Sequence, residues 1–122
     1  LIKELDLTNR VSVESKLSRE DLSTRMSNAY LAVWPSLTDI SPNSMLEALS
    51  INVPVVSSVE IGFDWLKDKI ETFDPRKVPE ITQIINNLLD PENYNNYQKN
   101  INSINYKYSY NQAAKDTINI LK

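Results

Sequence analysis

Leu31-Ala32-Val33-Trp34-Pro35 and Val53-Pro54-Val55-Val56 bracket the most informative part of this chain. Neither apolar run alternates with polar residues, which predicts strands buried on both faces, as in a parallel sheet; Pro35 stops the first. Between them Ser41-Pro42 reads as a helix start, with Ser41 at the cap and Pro42 at the first position, where a missing N–H costs nothing. Met45, Leu46 and Leu49 give that helix one apolar face, and it ends near residues 50–52. Strand, helix, strand in this order predicts an α/β layer with a right-handed crossover.

Working outward, Leu1, Ile2 and Leu5 stand at helical spacing before the turn pair Thr8-Asn9, and Arg10-Val11-Ser12-Val13 reads as a short strand. Ser18-Arg19-Glu20-Asp21 resembles a capping box and predicts a helix from Arg19 to Asn28. On the other side, Asp74-Pro75 is a turn signal, Pro79 opens a helix to about Leu89, and Asp90-Pro91 opens another to about Asn105. Val78, Ile81, Ile84, Ile85, Leu88 and Leu89 mark the core face of the first of these. Ser109 caps a last amphipathic helix through Ala113, Ala114, Ile118 and Leu121. No internal repeat and no second domain is visible, so residues 1–122 are expected to form a single domain.

Composition removes several chemistries. With no Cys and no His there is no disulfide framework, no thiolate nucleophile, no histidine base and no zinc site of the usual kind. A net charge of -3 argues against a phosphate-backbone binder, so nucleic acid is not an expected partner. One Gly in 122 residues excludes the glycine loops that cradle phosphates. No apolar run approaches the ~20 residues of a membrane span, and the start Leu1-Ile2-Lys3-Glu4-Leu5-Asp6 is unlike a signal peptide. A cytoplasmic location is the simplest expectation. The absence of an initiator Met suggests a piece of a longer protein.

In an open parallel sheet, ligands bind beyond the carboxyl ends of the strands, where the following helix offers unpaired N–H groups and its positive dipole end. An anion such as a diphosphate belongs there. Asp39 lies just before the predicted helix and Glu47 about one and a half turns inside it. Being acceptors only, the two carboxylates would take hydrogen bonds from hydroxyls, and as anions they would repel phosphate.

Pro35-Ser36, Asp39, Pro42-Asn43, Leu46-Glu47-Ala48-Leu49 and Val53-Pro54-Val55-Val56-Ser57-Ser58 resemble, in order and spacing, the donor-binding core of retaining GT-B glycosyltransferases of the group 1 or family 4 type. The likeness extends, less specifically, over nearly the whole chain. It implies a Rossmann-like parallel sheet flanked by helices with a helical C-terminus, the rear part of the C-terminal domain of a GT-B fold, with the N-terminal acceptor domain absent. It implies a transferase moving a sugar from a nucleotide-diphosphate donor to a glycan, glycoconjugate or other acceptor, with no metal and no other cofactor. By this resemblance Glu47 holds the ribose hydroxyls and Asp39 contacts the transferred sugar. Backbone N–H groups from Ile40 and Ser41 through Asn43 and Ser44 face the diphosphate or sugar, and Ser15, Lys16 and Leu17 line the base. No residue of this chain is assigned as catalytic. The full-length protein is expected in the cytoplasm, with peripheral association at the inner membrane surface left open, and the isolated fragment is expected to be inactive.

Departures from the pattern bear on that reading. The first acid is usually Glu and is Asp39 here, one methylene shorter. Asn52 and Ser15 stand where Gly is usual; Asn tolerates a left-handed backbone, Ser less readily. Only Gly62 of the usual glycine pair is kept, the stretch up to Asp74 looks abbreviated, and the basic residues of the diphosphate site would lie before Leu1. These losses motivate an alternative, a degenerate GT-B module acting as a non-catalytic interaction domain; a sugar-nucleotide epimerase fits the acid spacing less well. Arg19 reads as a surface residue, Trp34 as core, and Trp65 as core or an inter-domain contact. Tyr94, Tyr97, Tyr106, Tyr108 and Tyr110 most simply cover the sheet or meet the absent domain.

Overall fold

The computed structural model of the chain describes residues 1–104, Lys115 and residues 118–120. In chain order the elements are α1 (Arg19–Ser27), β1 (Ala32–Trp34), α2 (Asn43–Ser50), β2 (Val55–Ser58), α3 (Asp64–Lys67), β3 (Glu71–Phe73), α4 (Val78–Leu88) and α5 (Pro91–Ser103). The three strands form one parallel sheet in the order β1-β2-β3, with Ala32 opposite Val55 and Val56 opposite Glu71. The α/β reading therefore holds. Among the described residues no helix is long and apolar enough to cross a membrane.

The central strand is the one whose burial matches expectation. Every residue of β2 is buried. It begins two residues later than the apolar run because the N–H of Val53 is used to close the preceding helix and Pro54 has none to give. That closure is a Schellman motif: Val53 N–H donates to Ala48 O at 3.0 Å and Asn52 N–H to Leu49 O at 3.0 Å, with Asn52 left-handed at φ 62°. By contrast β1 is not buried on both faces; it is an outer strand of the sheet with Val33 exposed.

Two further expectations fail at the amino end. Residues 1–10 form turns rather than a helix; Asp6 adopts φ 52°, which a helix does not contain. Arg10–Val13 form no strand: all four are exposed, and no described strand lies beside them to complete a ladder. The helix at Arg19 is as expected, with Ser18 accepting from Asp21 N–H at 3.1 Å and its hydroxyl donating to the Asp21 carboxylate at 2.7 Å.

The core joins Met45, Ala48 and Leu49 of α2 to Val55 and Val56, then to Ile61, Leu66, Ile70, Phe73, Leu88 and Ile101. In α4, Leu88 is buried and Ile81, Ile84 and Ile85 half-buried, a stripe at i, i+3, i+4 and i+7. Val78 and Leu89, expected on that face, are exposed: they sit at the first turn and the cap of the helix. Asp90 caps α5 by accepting from Glu92 N–H and Asn93 N–H, each at 3.0 Å. Tyr97 and Ile101, four residues apart on α5, are buried against the sheet. Tyr94 stacks on Tyr30, ring centroids 3.9 Å apart. The helix expected from Ser109 through Ala113, Ala114 and Leu121 lies outside the described residues except at Lys115 and 118–120, which are helical. Tyr106, Tyr108 and Tyr110 also lie outside them.

Candidate functional site

Because all three strands run the same way, their carboxyl ends and the loops that leave them share one edge of the sheet. From β1 the chain passes through Pro35–Pro42 into α2; from β2 it passes through Val59–Phe63 into α3. These two loops are bonded to each other past the end of the ladder. Asp39 N–H donates to Glu60 O at 3.1 Å, Gly62 N–H donates to Asp39 O at 2.8 Å, and Asp39 and Ile61 form a parallel bridge. The half-buried Asp39 also closes a turn of its own, its Oδ1 accepting from Ser41 N–H at 3.1 Å.

The start of α2 differs from the expectation by one residue. Pro42, not Ser41, is the N-cap, and no side chain caps the helix. The Ser41 N–H is turned back to Asp39, and the Ser41 hydroxyl meets the Asn43 side-chain oxygen at 3.4 Å. Ile40, Ser41, Asn43 and Ser44 are all exposed at this end of the helix, with the Ser44 hydroxyl accepting from Trp34 Nε1 at 3.2 Å. Trp34 is only half-buried, so it is a wall of the core rather than its interior. Trp65 is not core: it is exposed, tilted against Phe63, with Lys69 Nζ 5.5 Å from its ring.

The two carboxylates line separate clefts. Asp39 lies in a shallow one of about 230 Å³ with Thr38, Glu60, Gly62, Asp64 and Lys67, where Lys67 Nζ is paired to Asp64 at 2.8 Å. Glu47, exposed on α2, lines another of about 300 Å³ with Arg19, Leu22, Met26 and Ile51. Ser15 and Lys16 are exposed and Leu17 half-buried in the segment leading into α1; they line neither cleft, although α1 brings its first residue, the exposed Arg19, into the groove of Glu47.

A charged group at the ends of β2 and β3 was not singled out in the sequence, where Asp74-Pro75 reads only as a turn signal. Arg76 Nε donates to Asp74 Oδ1 at 2.9 Å and Arg76 Nη2 to Glu60 Oε1 at 3.2 Å, while Lys77 Nζ donates to Glu80 Oε1 at 2.9 Å. Hydrogen bonds from the Arg76 side chain and backbone hold the Asp74 carboxyl below its ordinary range, and the bond from Lys77 does the same for Glu80. Two adjacent cations, Arg76 and Lys77, flanked by the acids Asp74 and Glu80 were the available signal.

The family model described as glycosyl transferases group 1 matches residues 1–91. The chain belongs to this family. No curated protein sequence matches it. Among solved structures, sucrose-phosphate synthase from Thermosynechococcus elongatus superposes with a TM-score of 0.73 at 19% identity. That likeness covers 98% of this chain and 31% of the other, so the chain spans about a third of that protein's length. At this identity the likeness is one of fold, and it places the three-stranded parallel sheet of this group 1 glycosyl transferase chain as a fragment of a GT-B fold.

Proposed function

We propose that this chain is the nucleotide-sugar-binding part of a retaining glycosyltransferase, the rear of its C-terminal domain, working with an acceptor-binding half that this chain does not supply. The observation that carries the reading is Asp39 in the loop that leaves β1 at the carboxyl end of a parallel sheet, with Glu47 on the helix that follows, in a group 1 family member. In this reading the diphosphate lies at the start of α2, where no side chain caps the helix and the helix dipole favours negative charge. Glu47 accepts from the ribose hydroxyls and Asp39 from hydroxyls of the transferred sugar. Ser15, Lys16 and Leu17 stand near the base, and Ile40, Ser41, Asn43 and Ser44 form the surface that faces the diphosphate or sugar, with the Ser41 and Asn43 N–H groups themselves bonded to Asp39 Oδ1 and Ser41 O. No metal enters: the chain's contribution is a fixed set of dipoles facing the leaving diphosphate. The acceptor is a glycan or glycoconjugate, and the protein works in the cytoplasm.

The test is titration calorimetry of the full-length polypeptide against UDP, GDP, dTDP and CDP and their sugars, with Glu47→Ala as control. A charge-assisted hydrogen bond is worth roughly 1.5–3 kcal/mol, so at an exposed position the variant is expected to weaken the preferred nucleotide by about ten-fold. An unchanged dissociation constant removes the ribose assignment.

A further inference from the structure

We infer that Gly62 is a positioning residue that fixes the Asp39 carboxylate in its cleft, an inference that rests on the reading of Asp39 as a sugar contact. Gly62 is the only glycine in the chain, and its φ is not in the left-handed region, so it is there for space rather than conformation. A Cβ at this position would overlap the Ile40 carbonyl oxygen and come within 2.9 Å of the carbonyl carbon and 3.0 Å of the Cα. These are backbone atoms, which have no rotamer to escape into. Any larger residue at 62 must therefore drive the loop of Val59–Phe63 away from the loop that carries Asp39.

The consequence falls on Asp39 because of how that residue is held. Its N–H is bonded to Glu60 O and its carbonyl oxygen to Gly62 N–H, so both flanks of its Cα are fixed to the loop that Gly62 lets approach. Its carboxylate has one further local tie, the 3.1 Å bond from Ser41 N–H to Oδ1. That turn suits an acid of this length: the same ring closed by Glu would contain one more methylene. Asp39 is thus a short acid made stiff at three points, and Gly62 is what makes two of them reachable. A carboxylate that must meet sugar hydroxyls at hydrogen-bond distance loses its effect when displaced by about 1 Å.

The readout that separates positioning from general stability is the sugar increment, the ratio of the dissociation constant for the nucleoside diphosphate to that for the same diphosphate carrying its sugar. On the full-length polypeptide, Asp39→Asn is expected to lower the increment about ten-fold, and Gly62→Ala to lower it by a similar factor, each leaving affinity for the bare diphosphate within two-fold. Asp39→Glu, which loses the tight turn, is expected not to restore it. If Asp39→Asn lowers the increment and Gly62→Ala does not, the positioning role is overturned and the sugar contact stands. If Asp39→Asn changes nothing, or the wild type shows no increment, the sugar contact falls and the positioning role with it. Equal losses in both affinities on Gly62→Ala would overturn the inference in favour of a folding role. Should Gly62→Ala not fold, Arg76→Ala decides: it removes the exposed bond to Glu60 on the same loop, and a two- to three-fold loss confined to the increment is expected, no loss being the refutation.

Discussion

Removing a single oxygen from Tyr97 measures how the third strand of the sheet is held. The ring is buried, and its hydroxyl sits between two strands, donating to Val55 O of β2 and accepting from Glu71 N–H of β3 at 2.9 Å. Burial raises the hydroxyl well above the ordinary tyrosine range, which favours the neutral donor form. Tyr97→Phe keeps the ring and opens no cavity, but it strips a carbonyl and an N–H of their partner. Each unsatisfied buried group costs about 1–3 kcal/mol, part of which is recovered if the strands close to bond directly. A net cost of about 2 kcal/mol is expected, equivalent to roughly 30-fold more opening of β3. Hydrogen exchange followed by mass spectrometry on the full-length polypeptide reads this locally: amides of Glu71–Phe73 should exchange about 30-fold faster, with those of α1 unchanged as the internal control. Less than a three-fold change at Glu71–Phe73 would refute the account of Tyr97 as the rung that secures β3.

Two further outcomes follow from local geometry. Asn52→Ala, forced into φ 62°, is expected to lower stability by about 1 kcal/mol while Asn52→Gly leaves it unchanged or higher, as read by the denaturation midpoint of the domain. For pH, the folded-state values of Asp74 and Glu80 are depressed, so their contribution is present above the ordinary carboxylate range and lost as pH falls through it and below. The raised values of Arg76 and Lys77 work in the opposite sense: their contribution is complete at neutral pH and lost only at strongly alkaline pH. Protection factors in residues 74–80, exchange corrected for the intrinsic rate at each pH, should therefore fall on acidification from pH 7 to 3, and Asp74→Asn should blunt that fall; an unaltered acid response in the variant would contradict it.

What could be foreseen from residues alone was whatever is encoded within a few neighbours. Ser18 with Asp21, Asp90 with Pro91, and Asn52 ahead of an apolar run each announce an element boundary through local hydrogen bonding, and each is where the structure has it. Burial of β2 was equally visible, because a strand covered on both faces needs no polar alternation. β3 was not visible: Glu71-Thr72-Phe73 is too short to show a period, and it is a strand because β2 lies beside it and Tyr97, 26 positions after Glu71, bonds to it. Arg10–Val13 failed for the converse reason, since alternation alone makes no strand where no described neighbour offers a ladder. At the candidate site, the family-like spacing singled out Asp39 and Glu47, but their separation into two clefts depends on how α1 lies beside α2 and on the bridge from Asp39 to Ile61. The helix cap shifted by one residue: Pro42, at ψ 75°, is outside the helical region, and the Ser41 hydroxyl is turned to the Asn43 side-chain oxygen rather than to the first N–H groups of the helix.

A chain with one glycine must turn by other means, and four of its turns are closed by side-chain oxygens reaching two residues ahead: Asp39 to Ser41, Ser58 to Glu60, Asp74 to Arg76 and Asp90 to Glu92. Residues that carry a Cβ restrict the backbone before folding as well as after it. The unfolded chain accordingly samples fewer conformations than one turning on glycine, and less entropy is surrendered when the turns form. In this protein part of what holds the loops around the cleft is therefore a property of the denatured ensemble, invisible in any list of native contacts.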